Sequence, residues 1–207
     1  MCIICVSPKG IPQPTQAQIQ TMFRNNPHGA GYMVARNNQV EIHKGFMNPD
    51  EFLYQIQREH FTAADPVVYH FRISTQAGVS PEMTHPFPLT NNIEMCKKLD
   101  LVCACGVAHN GVIPMTSTRD KEFSDTALFI AHYMSAIVRQ RSDLHNTAIL
   151  DILEELTQSR LAILDRSGDI ATIGSFITET NGLQFSNFTY GGVNTRCRPT
   201  FSKSFLR

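Results

Sequence analysis

Met1-Cys2-Ile3-Ile4-Cys5-Val6 opens the sequence as an apolar run that stops at Ser7-Pro8-Lys9-Gly10. Apolar residues with three β-branched members, closed by a Pro/Gly turn, predict a buried strand over residues 2–7. The run is too short for the apolar core of a signal peptide, and nothing hydrophobic precedes Cys2 to make it a lipidation site. Cys2 follows Met1 directly, and an initiator Met is removed when the next residue is small. Removal would leave a thiol and a free α-amine on one residue. An α-amine titrates near pKa ~7.7–8.0, so Cys2 would carry its own base beside its nucleophile.

Outward from this strand, Thr15 caps a helix to about Asn25, with Ile19, Met22 and Phe23 on one side. Residues 29–36 and 39–44 read as a hairpin turned at Asn37-Asn38. Asn48-Pro49-Asp50-Glu51 starts a helix to about Arg58. A short strand is expected over 67–72, then an ordered surface loop with Gly78, Pro81, Pro86 and Pro88. A strand over 101–108 leads into His109-Asn110-Gly111. Ser124 caps a helix to about Gln140, a second helix spans about 143–158, and strands return from Leu161 with a turn at Ser167-Gly168. Strands with inserted helices, then two adjacent helices, then strands predict an α+β fold with largely antiparallel sheets. No linker or repeat divides residues 1–207, so one domain is expected.

Hydrophobic residues make up 42% of the chain and charged residues 17%, a globular composition. Lys+Arg and Asp+Glu balance at 18 each, so no basic excess points to nucleic acid or an anionic membrane. There is no apolar run of about 18 residues, so no membrane span is expected. The six cysteines, without an export signal, predict free thiols in a reducing cytoplasm. Cys2-x-x-Cys5 with Cys103-x-Cys105 has the count of a zinc site, but a strand would aim Cys2 and Cys5 to opposite faces. Small buried hydrophobes are the better reading of Cys5, Cys103 and Cys105. His70, His85 and His109 lack a carboxylate spaced with them, and no metal and no cofactor are expected. Gly29-Ala30-Gly31 lacks the Lys-Ser/Thr ending of a phosphate loop and reads as close backbone packing. The Phe-rich tail (Phe185, Phe188, Phe201, Phe205) reads as core.

Five separated pieces carry chemistry in their order: Asn26-Pro27-His28-Gly29-Ala30-Gly31, His70-Phe71-Arg72-Ile73-Ser74-Thr75, Thr84-His85-Pro86, His109-Asn110-Gly111 and Ser124-Asp125-Thr126. Alone, His-Asn-Gly is a turn and Ser-Asp-Thr a helix cap. Together with Cys2, they resemble the glutaminase domain of the class II glutamine amidotransferases, among the N-terminal-nucleophile hydrolases. The matching pieces span residues 2 to about 135, and Gly182–Asn187 looks like the closing strands of the same domain.

The resemblance implies a four-layer αββα sandwich with two antiparallel sheets and Cys2 at a strand end between them. It also implies a stand-alone glutaminase-like domain over 1–207. Cys2 would attack the side-chain amide of glutamine. Asn110 and the Gly111 N–H would stabilise the oxyanion. Arg72, with Thr75, would hold the substrate carboxylate, and Asp125 its ammonium. The partner implied beyond glutamine is an ammonia-accepting enzyme. Ile73 stands where many members carry Trp, Ser74-Thr75-Gln76-Ala77 replaces Ala-Thr-His-Gly, and His28 replaces an Asp. These changes keep two alternatives open. One is an N-terminal-nucleophile amidohydrolase acting on another amide. The other is a non-catalytic binding protein retaining the fold.

Overall fold

The computed structural model describes residues 1–74, 79–114 and 122–191. Its first strand, β1 (Ile3–Ser7), is fully buried. Helix α1 (Gln16–Asn25) starts at a capping box: Thr15 Oγ1 accepts from the Gln18 amide, and the Gln18 side chain accepts from the Thr15 amide. Strands β2 (Ala30–Arg36) and β3 (Gln39–Phe46) form the expected hairpin. Asn37 and Asn38 both take positive φ, 51° and 57°, as a type I′ turn requires. Asn48 caps α2 (Pro49–Glu59), and β4 (Val67–Phe71) follows. Then come β5 (Phe87–Pro88), β6 (Asp100–Cys103), β7 (Cys105–Asn110), α3 (Asp125–Phe129), α4 (Ser135–Ile137), α5 (Thr147–Thr157), β8 (Arg160–Asp165), β9 (Ile170–Ile173), β10 (Ile177–Thr178) and β11 (Gln184–Phe185).

The strands form two antiparallel sheets, one of seven in the order β10-β11-β1-β4-β2-β3-β6 and one of four in the order β5-β7-β8-β9. Three apolar cores follow from the two-residue alternation of the strands. Ile3, Cys5, Tyr32, Val34, Tyr69 and Phe71 pack against Ile19, Met22 and Phe23 of α1 and Phe52 of α2. The opposite face of the same sheet turns Ile4, Val6, Met33, Ile42 and Val68 onto Ala108, Ala162 and Leu164 of the small sheet. The outer face of the small sheet, with Val107, Leu161 and Ile163, packs against Ile130, Met134 and Leu153 of the later helices. The α+β class and its two antiparallel sheets thus agree with expectation.

Several boundaries differ. The apolar run 101–108 is two strands, not one, because the chain crosses from the large sheet to the small one at Ala104. There Arg166 N–H donates to the Ala104 carbonyl and Leu89 N–H to that of Cys105. The helix after Ser124 ends at Ile137 rather than Gln140, and its middle, Ile130–Met134, is π-helical. The helix expected from Asp143 begins instead at Thr147 behind an Asn146 cap, since Arg141–His145 winds as a 3₁₀ segment. Strand β4 ends one residue early, at Phe71. Cys103 is half-buried where Cys5 and Cys105 are buried. Phe188 is 52% exposed and not core, while Cys197, Phe201 and Phe205 lie outside the described residues.

The loop between β4 and β6 is more than surface. Lys44 reaches under it, donating to the carbonyls of Glu82 (2.7 Å) and Cys96 (2.6 Å). Its ammonium also sits 3.9 Å from the Phe87 ring centre. Burial lowers its pKa to about 7. The loop carries His85 against Gly31: a Cβ on Gly31 would collide with the His85 carbonyl and lie 2.6 Å from Lys44 Cβ. Gly31→Ala is therefore expected to cost about 1–3 kcal/mol through overpacking, a fall of several degrees in Tm at this size. A Tm equal to wild type would show that the loop is not seated on β2.

Candidate active site

The site is assembled where β1 starts, β4 and β7 end and α3 begins. Cys2 stands at the edge of β1, half-buried. Its Sγ accepts from the Ile73 N–H at 3.4 Å and lies 3.5 Å from the Ile73 carbonyl. Burial raises the thiol pKa above its ordinary value, while the Ile73 bond and the charge of Arg72 pull it back. The Cys2 carbonyl accepts from Asn187 Nδ2 at 2.6 Å, so the tail of the domain fixes the backbone next to the thiol.

Arg72 extends just past β4. Its backbone is clamped by His28 N–H to the Arg72 carbonyl (2.9 Å) and Arg72 N–H to the Gly29 carbonyl (2.8 Å). His28 Nδ1 accepts from the Ser74 amide at 2.9 Å. The His-Gly of the early loop thus serves the arginine segment. Burial lowers the Arg72 pKa, and the charges of Cys2 and Asp125 oppose that shift.

Asn110 ends β7, fully buried. Its Nδ2 donates to Ser186 Oγ at 2.8 Å, and the same Oγ accepts from the Ile4 amide at 2.9 Å. An amide nitrogen has two hydrogens. One goes to Ser186; among the described residues the other has no partner, and neither does Oδ1. Gly111 abuts Ser159 so closely that a Cβ would collide with the Ser159 Cβ. A side chain there is excluded by packing, whatever chemistry its amide performs.

Asp125 opens α3 behind the Ser124 cap. Its Oδ2 accepts from the Ile113 amide at 2.8 Å, and its Oδ1 from the Thr126 amide at 2.8 Å. His109 bonds Thr126 Oγ1 through Nδ1 and Ser159 Oγ through Nε2, both at 2.7 Å.

Cys2, Arg72, Asn110 and Asp125 are thus tied into adjoining segments, with Gly111 following Asn110, while Thr75 lies outside the described residues. Sequence reasoning did not single out Ser159, Ser186 or Asn187. Their partners stand 50, 182 and 185 positions away, so the Gly182–Asn187 stretch placed Ser186 and Asn187 in closing strands without giving either a role. Cys5, Cys103 and Cys105 fall in three different cores and do not form one ligand set. Among the described residues, His145, Asp165 and Asp169 bring their donor atoms within 4.8 Å, and the Arg141 guanidinium already bonds both carboxylates. A cavity of about 510 Å³ lies at the opposite end of β7, lined by Cys105, Val138, Arg139 and Arg166, away from Cys2. No helix among the described residues is long and apolar enough to cross a membrane. Compared with known proteins, the sequence matches no family model and no curated protein.

Proposed function

We propose that this chain is an N-terminal-nucleophile amidase of the glutamine amidotransferase type, with the αββα fold of that group, hydrolysing the side-chain amide of glutamine to glutamate and ammonia. The observation that carries the reading is the grouping of Cys2, Arg72 and Asp125. The Ile73 amide that holds the thiol directly follows Arg72, whose backbone is clamped by His28 and Gly29, and the Asp125 carboxylate is fixed at the start of α3 by the Ile113 amide. One cation and one anion flanking a nucleophile fit the two charged ends of an α-amino acid.

In this mechanism Met1 is removed, and the Cys2 amine takes the thiol proton as Sγ attacks the amide carbon. A carbon–sulfur bond forms and the carbonyl becomes an oxyanion, which the uncommitted Asn110 N–H and the Gly111 amide stabilise. The amine passes its proton to the departing nitrogen, the carbon–nitrogen bond breaks, and ammonia leaves. Water then cleaves the γ-glutamyl thioester, restoring the thiol. The ammonia would be consumed by an acceptor enzyme in the cytoplasm. Met1 is 70% exposed and so open to removal.

The test pairs intact-mass measurement with an assay of ammonia and glutamate. Protein lacking Met1 is expected to release both in equal amounts, and Cys2→Ala to lose at least about a thousandfold, the scale on which deleting a nucleophile acts. Glutamine left intact by Met1-free protein would sink the reading. So would Cys2→Ala with undiminished activity.

A further inference from the structure

We propose that His109 is a positioning residue that aims the Asp125 carboxylate through the Thr126 hydroxyl, in a tautomer that Ser159 selects. The inference rests on Asp125 being the anchor for a substrate ammonium.

His109 and Thr126 are buried, and each nitrogen of the imidazole meets one hydroxyl at 2.7 Å. Thr126 Oγ1 also lies 3.3 Å from Asp125 Oδ1. A neutral imidazole donates from one nitrogen and accepts at the other, and each hydroxyl has one hydrogen. Two directions of donation are therefore open. In the first, Ser159 O–H donates to Nε2, Nδ1–H donates to Thr126, and the Thr126 hydroxyl donates to Asp125. In the second every bond reverses, and the carboxylate loses the hydroxyl. A hydrogen bond to an ionised acceptor is roughly twice as strong as a neutral one, and aligned bonds reinforce one another. The first direction wins, with the proton on Nδ1. Burial also keeps the ring neutral, with a pKa lowered to about 4.

The consequence falls on Asp125. An ionised carboxylate offers about four lone-pair sites. The amides of Ile113 and Thr126 and the Thr126 hydroxyl take three of them. The remaining site has a fixed direction, set to receive a cation. The network therefore joins His109-Asn110-Gly111 to Ser124-Asp125-Thr126 by contact, with Ser159 held against both His109 and Gly111.

Two measurements test this. Nitrogen-15 spectra of the imidazole at neutral pH are expected to show His109 protonated on Nδ1, with Ser159→Ala giving a mixture of tautomers. A wild type protonated on Nε2 overturns the proposal, whether or not the chain hydrolyses glutamine. The second compares kcat/KM for glutamine with that for glutaramic acid, which lacks the α-ammonium. Thr126→Val, nearly isosteric, is expected to lower that ratio about tenfold or more through KM, and Thr126→Ser to restore it. A purely structural role would lower the melting temperature and leave the ratio alone, so an unchanged ratio in Thr126→Val overturns the relay while the proposed reaction stands. A wild type that hydrolyses neither amide removes the substrate reading, and the ammonium anchor with it. If Thr126→Val does not fold, the wild-type tautomer still decides the direction of the network.

Discussion

Asn110→Ala is expected to fold, to keep a KM for glutamine close to wild type, and to lose roughly a hundredfold or more in kcat, about 2.7–4 kcal/mol of barrier. The expectation follows from what the side chain does in the resting protein. One Nδ2 hydrogen is spent on Ser186 Oγ, whose other bond, from the Ile4 amide, survives the substitution. The loss of one neutral hydrogen bond costs only about 1 kcal/mol of stability. Among the described residues the second Nδ2 hydrogen makes no bond, and in the proposed reaction it meets charge that develops only as the thiol attacks. Measuring Tm and kcat on the same variant separates the roles. A destabilised Asn110→Ala with most of its turnover would make Asn110 a bracket for Ser186 and nothing more.

The second large effect is on stability in acid. His70, His85 and His109 are buried. Burial lowers His70 to about 3 and His109 to about 4, and lowers His85 well below its ordinary value. In the unfolded chain each titrates near ~6.5. Below that pH the unfolded state binds protons that the folded state refuses, so stability is complete above about pH 6.5 and falls as pH drops toward the folded values. From pH 7 to 5 His70 and His109 each cost about 2 kcal/mol, some 4 kcal/mol together, and His85 adds in the same direction. That is a large share of the ~5–15 kcal/mol that holds a typical domain together. Urea melts at pH 7 and pH 5 are expected to differ on this scale. Equal midpoints at the two pH values would mean that the three rings are accessible to protons in the native state.

Much of the architecture could be read where a local rule acts alone. The Thr15–Gln18 box and the Asn37-Asn38 turn are set by residues within four positions of one another. The candidate site was legible as an ordered set of pieces, yet not as a geometry. Asn110 could be named from its motif, but its bond to Ser186 spans 76 positions, and the tie from Ser159 to His109 spans 50. The break at Ala104 was hidden for a related reason. Leu101–Ala108 is apolar throughout, and only tertiary packing distinguishes the edge strand β6, with Val102 53% exposed, from the buried β7. The π-helical turn after α3 was equally silent, since its residues keep an ordinary helical pattern.

Ser186 also sets a schedule. It reaches back across 182 residues to the amide of Ile4. At about 5–20 residues per second, synthesis separates the two partners by roughly 9–36 s. Throughout that interval the nascent chain carries Cys2, and for its last 76 residues Asn110 as well, without the hydroxyl that joins their strands. The thiol therefore emerges first and its setting is finished among the last. The Cys2 thiol gains its full surroundings only when the rest of the domain exists to enclose them.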